Sequence, residues 1–480
     1  MFDLIPWLDE TYIVEMGRLF LERGGASCST LSGLSDVVLR PLCYVGPLLQ
    51  ELLFRCFGIL GVRLSPYVGL GLAYVCFRRR IRRDGLVDRS LQELLSLLLL
   101  TSPMLFQSAL LSRIDCWALA CVFASLAVLG MPDERRGMFV LFAGAWLAVL
   151  SFFIWPTSAV LFVVYPVFAF SKDCLREFLW FCLFAVLSFL LFLIPVAGDI
   201  HLFLDSFLRH YGEVTSPATT FLGIILPMMR EVARSPFVAI LSVAGMIVWV
   251  KRRRVFAIAA FAVVFVVCAR AGLYTFRIVY LIPFFLFMCV DAAVALHSRC
   301  PRFARAYLIV AVAYGALTGP IGHFALSYPT LPEGLQEILS AEVGTGPINV
   351  FSPDHATYYI GRELGWHQIG FARPSDLNDT NVLARVLSDC DAAVLRDFDP
   401  YTPFQQSCTP YGLFCRYVLS KAREERDVPL EQKSWAARFG GQFSFSWHAP
   451  LSLDDFRETK KVGMIRIFRR IRPSRETDSR

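Results

Sequence analysis

The chain has 480 residues, of which 56% are hydrophobic and only 18% are charged, whereas soluble domains usually carry about 25% charged residues. Its net charge of +7 comes mostly from short basic clusters between apolar runs, which differ from the continuous basic surface that nucleic-acid binding requires. The composition therefore excludes an ordinary soluble enzyme and a nucleic-acid partner, and it predicts a polytopic α-helical membrane protein in contact with membrane lipid.

Apolar runs that approach the thickness of the hydrocarbon core follow one another through the first two thirds of the chain. They predict about ten spans, near residues 61–78, 91–108, 115–130, 138–152, 157–170, 178–197, 236–250, 255–270, 278–296 and 306–324. Basic connections follow every second run, at residues 78–83, 135–136, 172–176, 251–254 and 299–305. Because short basic loops remain in the cytoplasm, the transmembrane domain 1–326 is expected to expose outer loops 1–60 and 198–235 on the opposite side.

The region 327–470 has the composition of a soluble domain and is expected on the same outer side. Strand candidates at 348–351 and 392–395, with helix candidates at 355–364 and 382–387, predict a small α/β domain with a parallel sheet. The tail, 471–480, is expected to be disordered. Cys408 and Cys415 would form a disulfide in an oxidising compartment, and a reduced pair is the alternative.

The first outer loop contains two adjacent carboxylates, Asp9 and Glu10. A carboxylate is the general base that the transfer of a sugar to a hydroxyl or an amine requires. The alternative is structural: Asp9 would cap a helix whose first turn favours acidic residues.

Two further outer positions carry charges suited to an anionic substrate. Arg113 would hold a phosphate, and Asp115 would orient the phosphate or bind a metal; the alternative is a salt bridge that closes a helix hairpin. Arg277 lies in the aromatic stretch 274–280 at the outer end of a span. There a guanidinium suits a lipid phosphate, or else it anchors the span by extending its head group toward water.

The outer loop 201–213 is long and polar, and it contains His210, Tyr211 and Glu213. These side chains would close over a bound substrate, while a solvated connection is the alternative. The sequence has no HExxH motif, P-loop or Gly-rich dinucleotide fingerprint, so ATP-driven transport and NAD chemistry lack their usual residues. No cofactor is implied with certainty, since two carboxylates near a phosphate suit a reaction with or without a divalent metal.

The order of these motifs is characteristic of one family. The acidic pair is followed by the segment 44–49, by Arg113-Ile114-Asp115, by Trp155-Pro156-Thr157 and by Phe276-Arg277-Ile278-Val279-Tyr280-Leu281-Ile282-Pro283. Over about residues 5 to 325, this order resembles the GT-C fold glycosyltransferases of the dolichyl-phosphate-mannose protein mannosyltransferase type. Within this family, the order most resembles the bacterial branch that includes the aminoarabinose transferases acting on lipid A.

The resemblance implies a plasma-membrane glycosyltransferase that transfers a sugar, with inversion, from a polyprenyl-phosphate donor to a lipid, glycan or protein acceptor. Asp9 would be the catalytic carboxylate with Glu10 beside it, and Arg277 and Arg113 would contact the leaving phosphate. Members of the family often end in a soluble outer domain, which agrees with the composition of the C-terminal region.

Two other classes of function are compatible with a polytopic chain. A transporter or lipid flippase would carry polar residues in mid-span and paired broken helices, whereas the ionisable residues here collect at the outer ends of spans. A non-catalytic scaffold would leave Asp9, Arg113 and Arg277 far apart. Convergence of these three residues at the outer mouth of a lipid-accessible cavity is therefore what distinguishes the enzyme.

Overall fold

The fold is that of a computed structural model, which describes most of the helical region and the strands of the C-terminal region. The described residues are 8–23, 43–84, 88–131, 137–170, 174–200, 231–232, 234–270, 278–322, 330–352, 357–369, 384, 386–396, 417, 420–421, 424–425, 428–429, 431–437, 453, 455–463 and 465–471. The disulfide considered between Cys408 and Cys415 and the tail after residue 471 lie outside this part of the chain.

Each predicted span coincides with a helical segment wherever it is described. The helices are α1 (Leu8–Arg23), α2 (Val45–Asp84), α3 (Arg89–Leu100), α4 (Pro103–Leu110), α5 (Asp115–Leu129), α6 (Met138–Ile154), α7 (Val164–Phe168), α8 (Leu175–Leu193), α9 (Pro236–Lys251), α10 (Val255–Arg270), α11 (Ile282–His297) and α12 (Pro301–Ala316). Within the described residues, four helical stretches are long and apolar enough to cross a membrane, or five if the bent pair α3–α4 is one span. The polytopic helical fold is confirmed, and the count of ten spans stays approximate.

The second helix, α2, joins two parts that have different lengths and roles. At about 1.5 Å per residue, a straight helix of its 40 residues would extend about 60 Å, twice the thickness of the hydrocarbon core. Gly58 interrupts α2 with φ 61° and ψ −154°, a conformation that glycine adopts without a steric penalty. The part after Gly58 therefore has the length of a span. In the stretch 1–60, which is expected on the outer side, the described residues form α1 and the first limb of α2.

One end of the helical bundle gathers the basic connections. Near the end of α2, Arg80 donates to the carbonyl oxygen of Phe168, at the end of α7, and Arg83 donates to that of Ala127, at the end of α5. The ring of Phe168 also packs on Trp249, near the end of α9. The ends of α2, α5, α7 and α9 therefore lie together, and we call this the basic end.

Ion pairs continue along the basic end. Asp291, in the second half of α11, accepts hydrogen bonds from the indole of Trp249 at 2.8 Å and from Arg254 at 2.7 Å. Arg305, at the start of α12, binds Asp88, the N-cap residue of α3, at 2.5 Å. At the opposite end of the bundle, α4, α6 and α12 end and α5 and α11 begin. We call this the site end.

A five-stranded sheet follows the helical bundle, with strand order β2-β1-β3-β5-β4. Its strands are β1 (Asn349–Phe351), β2 (His367–Ile369), β3 (Ala392–Arg396), β4 (Phe456–Val462) and β5 (Ile465–Arg470), and its helices are α13 (Leu335–Glu342) and α14 (Tyr358–Glu363). β1 pairs in parallel with β2 and β3, but β5 pairs antiparallel with β3 and β4. The prediction of a parallel sheet is wrong at this edge, because β4 and β5 form a hairpin at Gly463 and need no crossover helix.

A glycine lets α1 approach α2 closely, and its replacement is expected to separate them. A Cβ atom on Gly17 would lie 2.2 Å from the carbonyl oxygen of Pro47. We expect Gly17→Ala to destabilise the protein by about 1–3 kcal/mol, as overpacking usually does. Gly71→Ala is the matched control, because a Cβ atom at Gly71 would meet nothing within 4 Å. Thermal unfolding in detergent measures both, and equal midpoints would contradict the close contact.

Candidate active site

The structure describes the side chains of some of the residues that the sequence nominates. Glu10, Arg113 and Asp115 are described in full, whereas for Asp9 the backbone in the first turn of α1 is described and the side chain is not. The other candidates lie outside the described residues: Arg277, His210, Tyr211 and Glu213. Their roles stay predictions.

The acidic pair belongs to a helix. α1 begins at Leu8, so Asp9 and Glu10 occupy the first turn, where acidic side chains interact favourably with the helix dipole. Glu10 is only 3% exposed. Its Oε1 atom accepts hydrogen bonds from Nε of Arg63 at 3.1 Å and from the hydroxyl of Tyr359 at 3.0 Å. These two donors hold the Glu10 carboxylate in one orientation.

Sequence reasoning missed Arg63, the ion-pair partner of Glu10. Arg63 is buried in the apolar part of α2 after the break at Gly58. A buried charge is costly unless it is paired, and here the partner comes from a different helix. Arg63 is the one residue of the run 59–77 that is charged at neutral pH, and an isolated charge in an apolar run is a signal that could have identified it.

The Glu10 pair and the Arg113 motif lie on neighbouring helices at the same end of the bundle. Ser65, two residues after Arg63, accepts a hydrogen bond from the indole of Trp117 at 2.8 Å. Trp117 follows Asp115 by two residues in the first turn of α5. The second limb of α2 and α5 therefore run side by side in the same direction, and each presents an ion pair at the site end.

Asp115 is the centre of a buried polar cluster. It begins α5 and accepts hydrogen bonds from Nε of Arg113 at 2.7 Å and from the hydroxyl of Tyr280 at 2.6 Å. Ser108 in α4 donates to the same carboxylate at 3.3 Å. The guanidinium of Arg113 lies 5.5 Å from the ring centroid of Trp155, which follows α6. The salt bridge considered as the structural alternative is thus present, and it lies where four helical segments meet.

The turn before Arg113 combines backbone strain with buried polar atoms. Ser112 has a φ of 53°, in the left-handed region that residues other than glycine rarely adopt. Its carbonyl oxygen accepts a hydrogen bond from Nε2 of Gln50 at 3.3 Å. Among the described residues, the buried Oγ of Ser112 and Oε1 of Gln50 have no hydrogen-bond partner. Strain and unsatisfied buried polar atoms are concentrated at functional sites in proteins.

A third buried arginine, Arg234, lies beside this cluster. Arg234 is 1% exposed, and it donates to Gln107 at 2.6 Å and to Glu231 at 3.2 Å. Gln107 and Ser108 are consecutive residues of α4, so this short helix binds both Arg234 and Asp115. An arginine at the border of an apolar run usually extends into water, and only the tertiary structure shows that this one is buried.

Helix α14 of the C-terminal region packs onto α1 and α2. Three of its side chains reach three carboxylates: Tyr359 binds Glu10, Tyr358 binds Glu15, and Arg362 binds Glu51. The Tyr358 hydroxyl lies 2.6 Å from Oε2 of Glu15, and Arg362 contacts both carboxylate oxygens of Glu51, at 2.7 and 3.1 Å. The C-terminal region therefore contacts the helix that carries the acidic pair.

Burial and charge shift the pKa values of groups in this contact. Burial acts to raise the pKa of Glu15, but the hydrogen bond and charge of Arg18, together with the Tyr358 hydroxyl, bring it below its usual value. Burial, followed by the charge of the carboxylate partner, raises the pKa values of Tyr358 and Tyr359 well above their usual value.

These shifts predict that the contact between α14 and α1 is pH-dependent. The lowered pKa of Glu15 contributes stability that is present above about pH 4.3 and is lost as pH falls through the folded-state value. The raised tyrosine pKa values contribute stability that is present below about pH 10 and is lost as pH rises. We expect energy transfer between fluorophores on non-canonical residues at the exposed positions Leu21 and Glu363 to decrease at both extremes. A signal that stays unchanged at both acid and alkaline pH until the helices themselves unfold would contradict this.

The described residues offer no ready metal site. Within this part of the chain, no group of three or more His, Cys, Asp or Glu side chains is placed to hold a metal ion. Glu10 and Asp115 each already bind an arginine.

Comparison with known proteins gives a structural likeness. No family model matches the chain, and no curated protein matches it. The chain does match solved structures. The chain is similar to ArnT from Cupriavidus metallidurans.

The likeness extends over most of both chains. With the apo state of ArnT the identity is 13% and the TM-score 0.48, covering 82% of this chain and 88% of that one. With ArnT bound to undecaprenyl phosphate the identity is 12% and the TM-score 0.49, covering 82% and 90%.

Proposed function

We propose that the chain is a membrane glycosyltransferase that transfers a sugar from a polyprenyl-phosphate donor to a lipid, glycan or protein acceptor at the outer face of the plasma membrane. The observation that carries the proposal is the buried cluster of Arg113, Asp115, Tyr280 and Trp155, at the same end of the bundle as the acidic turn of α1. An anion-binding group and a carboxylate base near one another are what this transfer requires.

Arg113 is the proposed ligand of the donor phosphate. A guanidinium carries five N–H donors in a planar fork, which suits the oxygens of a phosphate, and Asp115 fixes the plane of this fork through Nε. The indole of Trp155 beside it provides apolar surface for the first part of a lipid chain. Arg277 precedes Tyr280 by three residues in the sequence, and Tyr280 binds Asp115, so we assign Arg277 to the same phosphate.

Asp9 is the proposed general base. The acceptor oxygen or nitrogen attacks the anomeric carbon, its proton passes to the Asp9 carboxylate, and the bond from that carbon to the phosphate oxygen breaks. The polyprenyl phosphate leaves with the bonding electrons, and attack from the opposite face inverts the anomeric centre. Glu10, which accepts hydrogen bonds from two donors, orients the turn that carries Asp9. We assign the outer-loop residues His210, Tyr211 and Glu213 to substrate binding.

The charge distribution of the bundle supports the outer location of this chemistry. Basic clusters gather at the end opposite the site, and short basic connections remain in the cytoplasm. The site end and the C-terminal sheet then face the opposite side, where a lipid-linked sugar is a suitable donor because nucleotide sugars are cytoplasmic.

The main alternative is a transporter or lipid flippase, which needs polar groups along a path through the bundle. Midway between the two ends, Leu70 and Ala73 of α2 and Leu119 and Val122 of α5 belong to one buried hydrophobic cluster. The ion pairs of the described helices lie at the ends of the bundle. An apolar middle layer favours chemistry at one face over passage through the bundle.

The test is sugar transfer by the full chain in lipid nanodiscs. A synthetic polyprenyl-phosphate sugar is supplied with lipid, glycan or protein fractions as acceptors, and release of polyprenyl phosphate is measured with and without a metal chelator. We expect release of polyprenyl phosphate together with transfer of its sugar to an acceptor, whereas a nucleotide sugar, the matched control, is expected to transfer no sugar. The absence of release with every acceptor would overturn the proposal, and transbilayer movement of the intact donor would support the flippase instead.

A further inference from the structure

The contact between α14 and the helical bundle is made largely by charged and polar side chains. Its members are the carboxylates Glu10, Glu15 and Glu51 and the donors Tyr358, Tyr359 and Arg362, and we call this set the docking cluster. Both tyrosines and all three carboxylates are buried. Burying so many polar groups is favourable only when each finds its partner, so the cluster requires a specific alignment of α14 on α1 and α2.

Helix α14 is also held in place by the strands of the C-terminal region. Gln368 of β2 donates to the carbonyl oxygen of Tyr358 at 2.7 Å. A Cβ atom on Gly361 would lie 2.5 Å from Cδ of the same Gln368, so helix and strand are in close contact at this point. The position of α14 is therefore determined by the sheet, and the sheet and α1 are coupled through it.

One residue of the docking cluster reaches the proposed active site directly. The hydroxyl of Tyr359 donates to Oε1 of Glu10, the same atom that accepts from Arg63. Its ring packs on Phe54 of α2 with centroids 5.3 Å apart, which holds the hydroxyl in place. Glu10 is adjacent to Asp9 in the first turn of α1, so whatever orients Glu10 also orients the backbone that carries Asp9.

We propose that Tyr359 is a positioning residue of the active site, and that the C-terminal domain completes the site by orienting the first turn of α1 through it. The inference rests on the proposed function. Without Tyr359, Glu10 keeps the bond from Arg63 but loses the second donor on the same oxygen, and the turn that carries Asp9 gains freedom. Misplacement of a reacting group by about 1 Å is sufficient to lower turnover by about 10²-fold.

The experiment is a double-mutant cycle with the full chain and the polyprenyl-phosphate donor. Tyr359→Phe is expected to lower kcat by about tenfold or more and to leave the donor KM within about twofold, because the phosphate-binding residues are untouched. Glu10→Gln is expected to lower kcat similarly. The double variant is expected to be no slower than Glu10→Gln alone, because Tyr359 acts through Glu10.

Tyr307→Phe is the matched control, since it removes a hydroxyl that donates to the carbonyl oxygen of Phe237 outside the docking cluster. It is expected to leave kcat unchanged. Additive effects of Tyr359→Phe and Glu10→Gln would overturn the inference. So would loss of the fluorescence signal for docking in Tyr359→Phe, because the residue would then be structural. If the wild type releases no polyprenyl phosphate, the proposed function itself fails, which is a distinguishable outcome.

Discussion

Replacing Asp9 by Asn is expected to lower kcat by about 10²- to 10⁴-fold, the usual contribution of a general base, with little change in the donor KM. Asparagine is nearly isosteric with aspartate and is well tolerated at helix N-termini, so α1 is expected to remain folded. The measurement is the release of polyprenyl phosphate in nanodiscs under saturating donor. The loss would identify proton transfer, because binding of the phosphate is assigned to other residues.

The control for this prediction lies on the same helix. Glu22 is an exposed carboxylate near the end of α1, where it pairs with Arg18. Glu22→Gln makes the same chemical change away from the site, and surface ion pairs usually contribute about 0–1 kcal/mol of stability. We expect it to retain wild-type turnover. Full activity of the Asp9→Asn variant would remove Asp9 from the mechanism and leave the first turn of α1 with a structural role.

The second large effect is expected at the buried pair of Arg113 and Asp115. Arg113→Met leaves the Asp115 carboxylate buried without its cationic partner, which usually costs about 3–5 kcal/mol. The same change removes the proposed ligand of the donor phosphate, so turnover is expected to be lost. Thermal unfolding in detergent and the nanodisc assay measure the two effects separately.

A double substitution separates stability from phosphate binding. In Arg113→Met combined with Asp115→Leu, neither charge is left unpaired, and replacing a buried ion pair by apolar side chains is often neutral for stability. We expect this variant to recover most of the lost thermal stability and to remain unable to release polyprenyl phosphate. If Arg113→Met kept the wild-type donor KM and kcat, Arg113 would be a purely structural residue at a helix junction.

The acidic motif is where the sequence leaves two structures open. Asp9 and Glu10 attract notice because two adjacent carboxylates precede an apolar chain, and the sequence allows either an outer loop or the beginning of a helix. The structure makes them the first turn of α1, which is stabilised because Gly17 allows contact with α2 and because Glu10 is paired with Arg63. Both causes involve residues of α2, so no local pattern within α1 reveals them.

The C-terminal sheet also contains both strands that the sequence predicts and a strand that depends on tertiary contacts. Strands β1 and β3 are apolar runs bounded by turn residues, and both are predicted from the sequence. Strand β4 has several exposed charges, and its pairing with β5 depends on the hairpin at Gly463 and on burial of Ile465 and Ile467 against the rest of the sheet. A strand with so many charges is recognised only from the strand that it pairs with.

By itself the sequence determined the properties that depend on local composition. The length of the apolar runs defined the helices of a membrane protein, and the basic connections indicated which helix ends lie together. Both follow from the sequence because hydrophobicity and charge are properties of the residue type and do not depend on tertiary contacts. The partners of Glu10 and Asp115 were decided only by the tertiary structure. Tyr359 is 349 residues from Glu10 and Tyr280 is 165 residues from Asp115, and a pairing over that separation exists only once the helices pack.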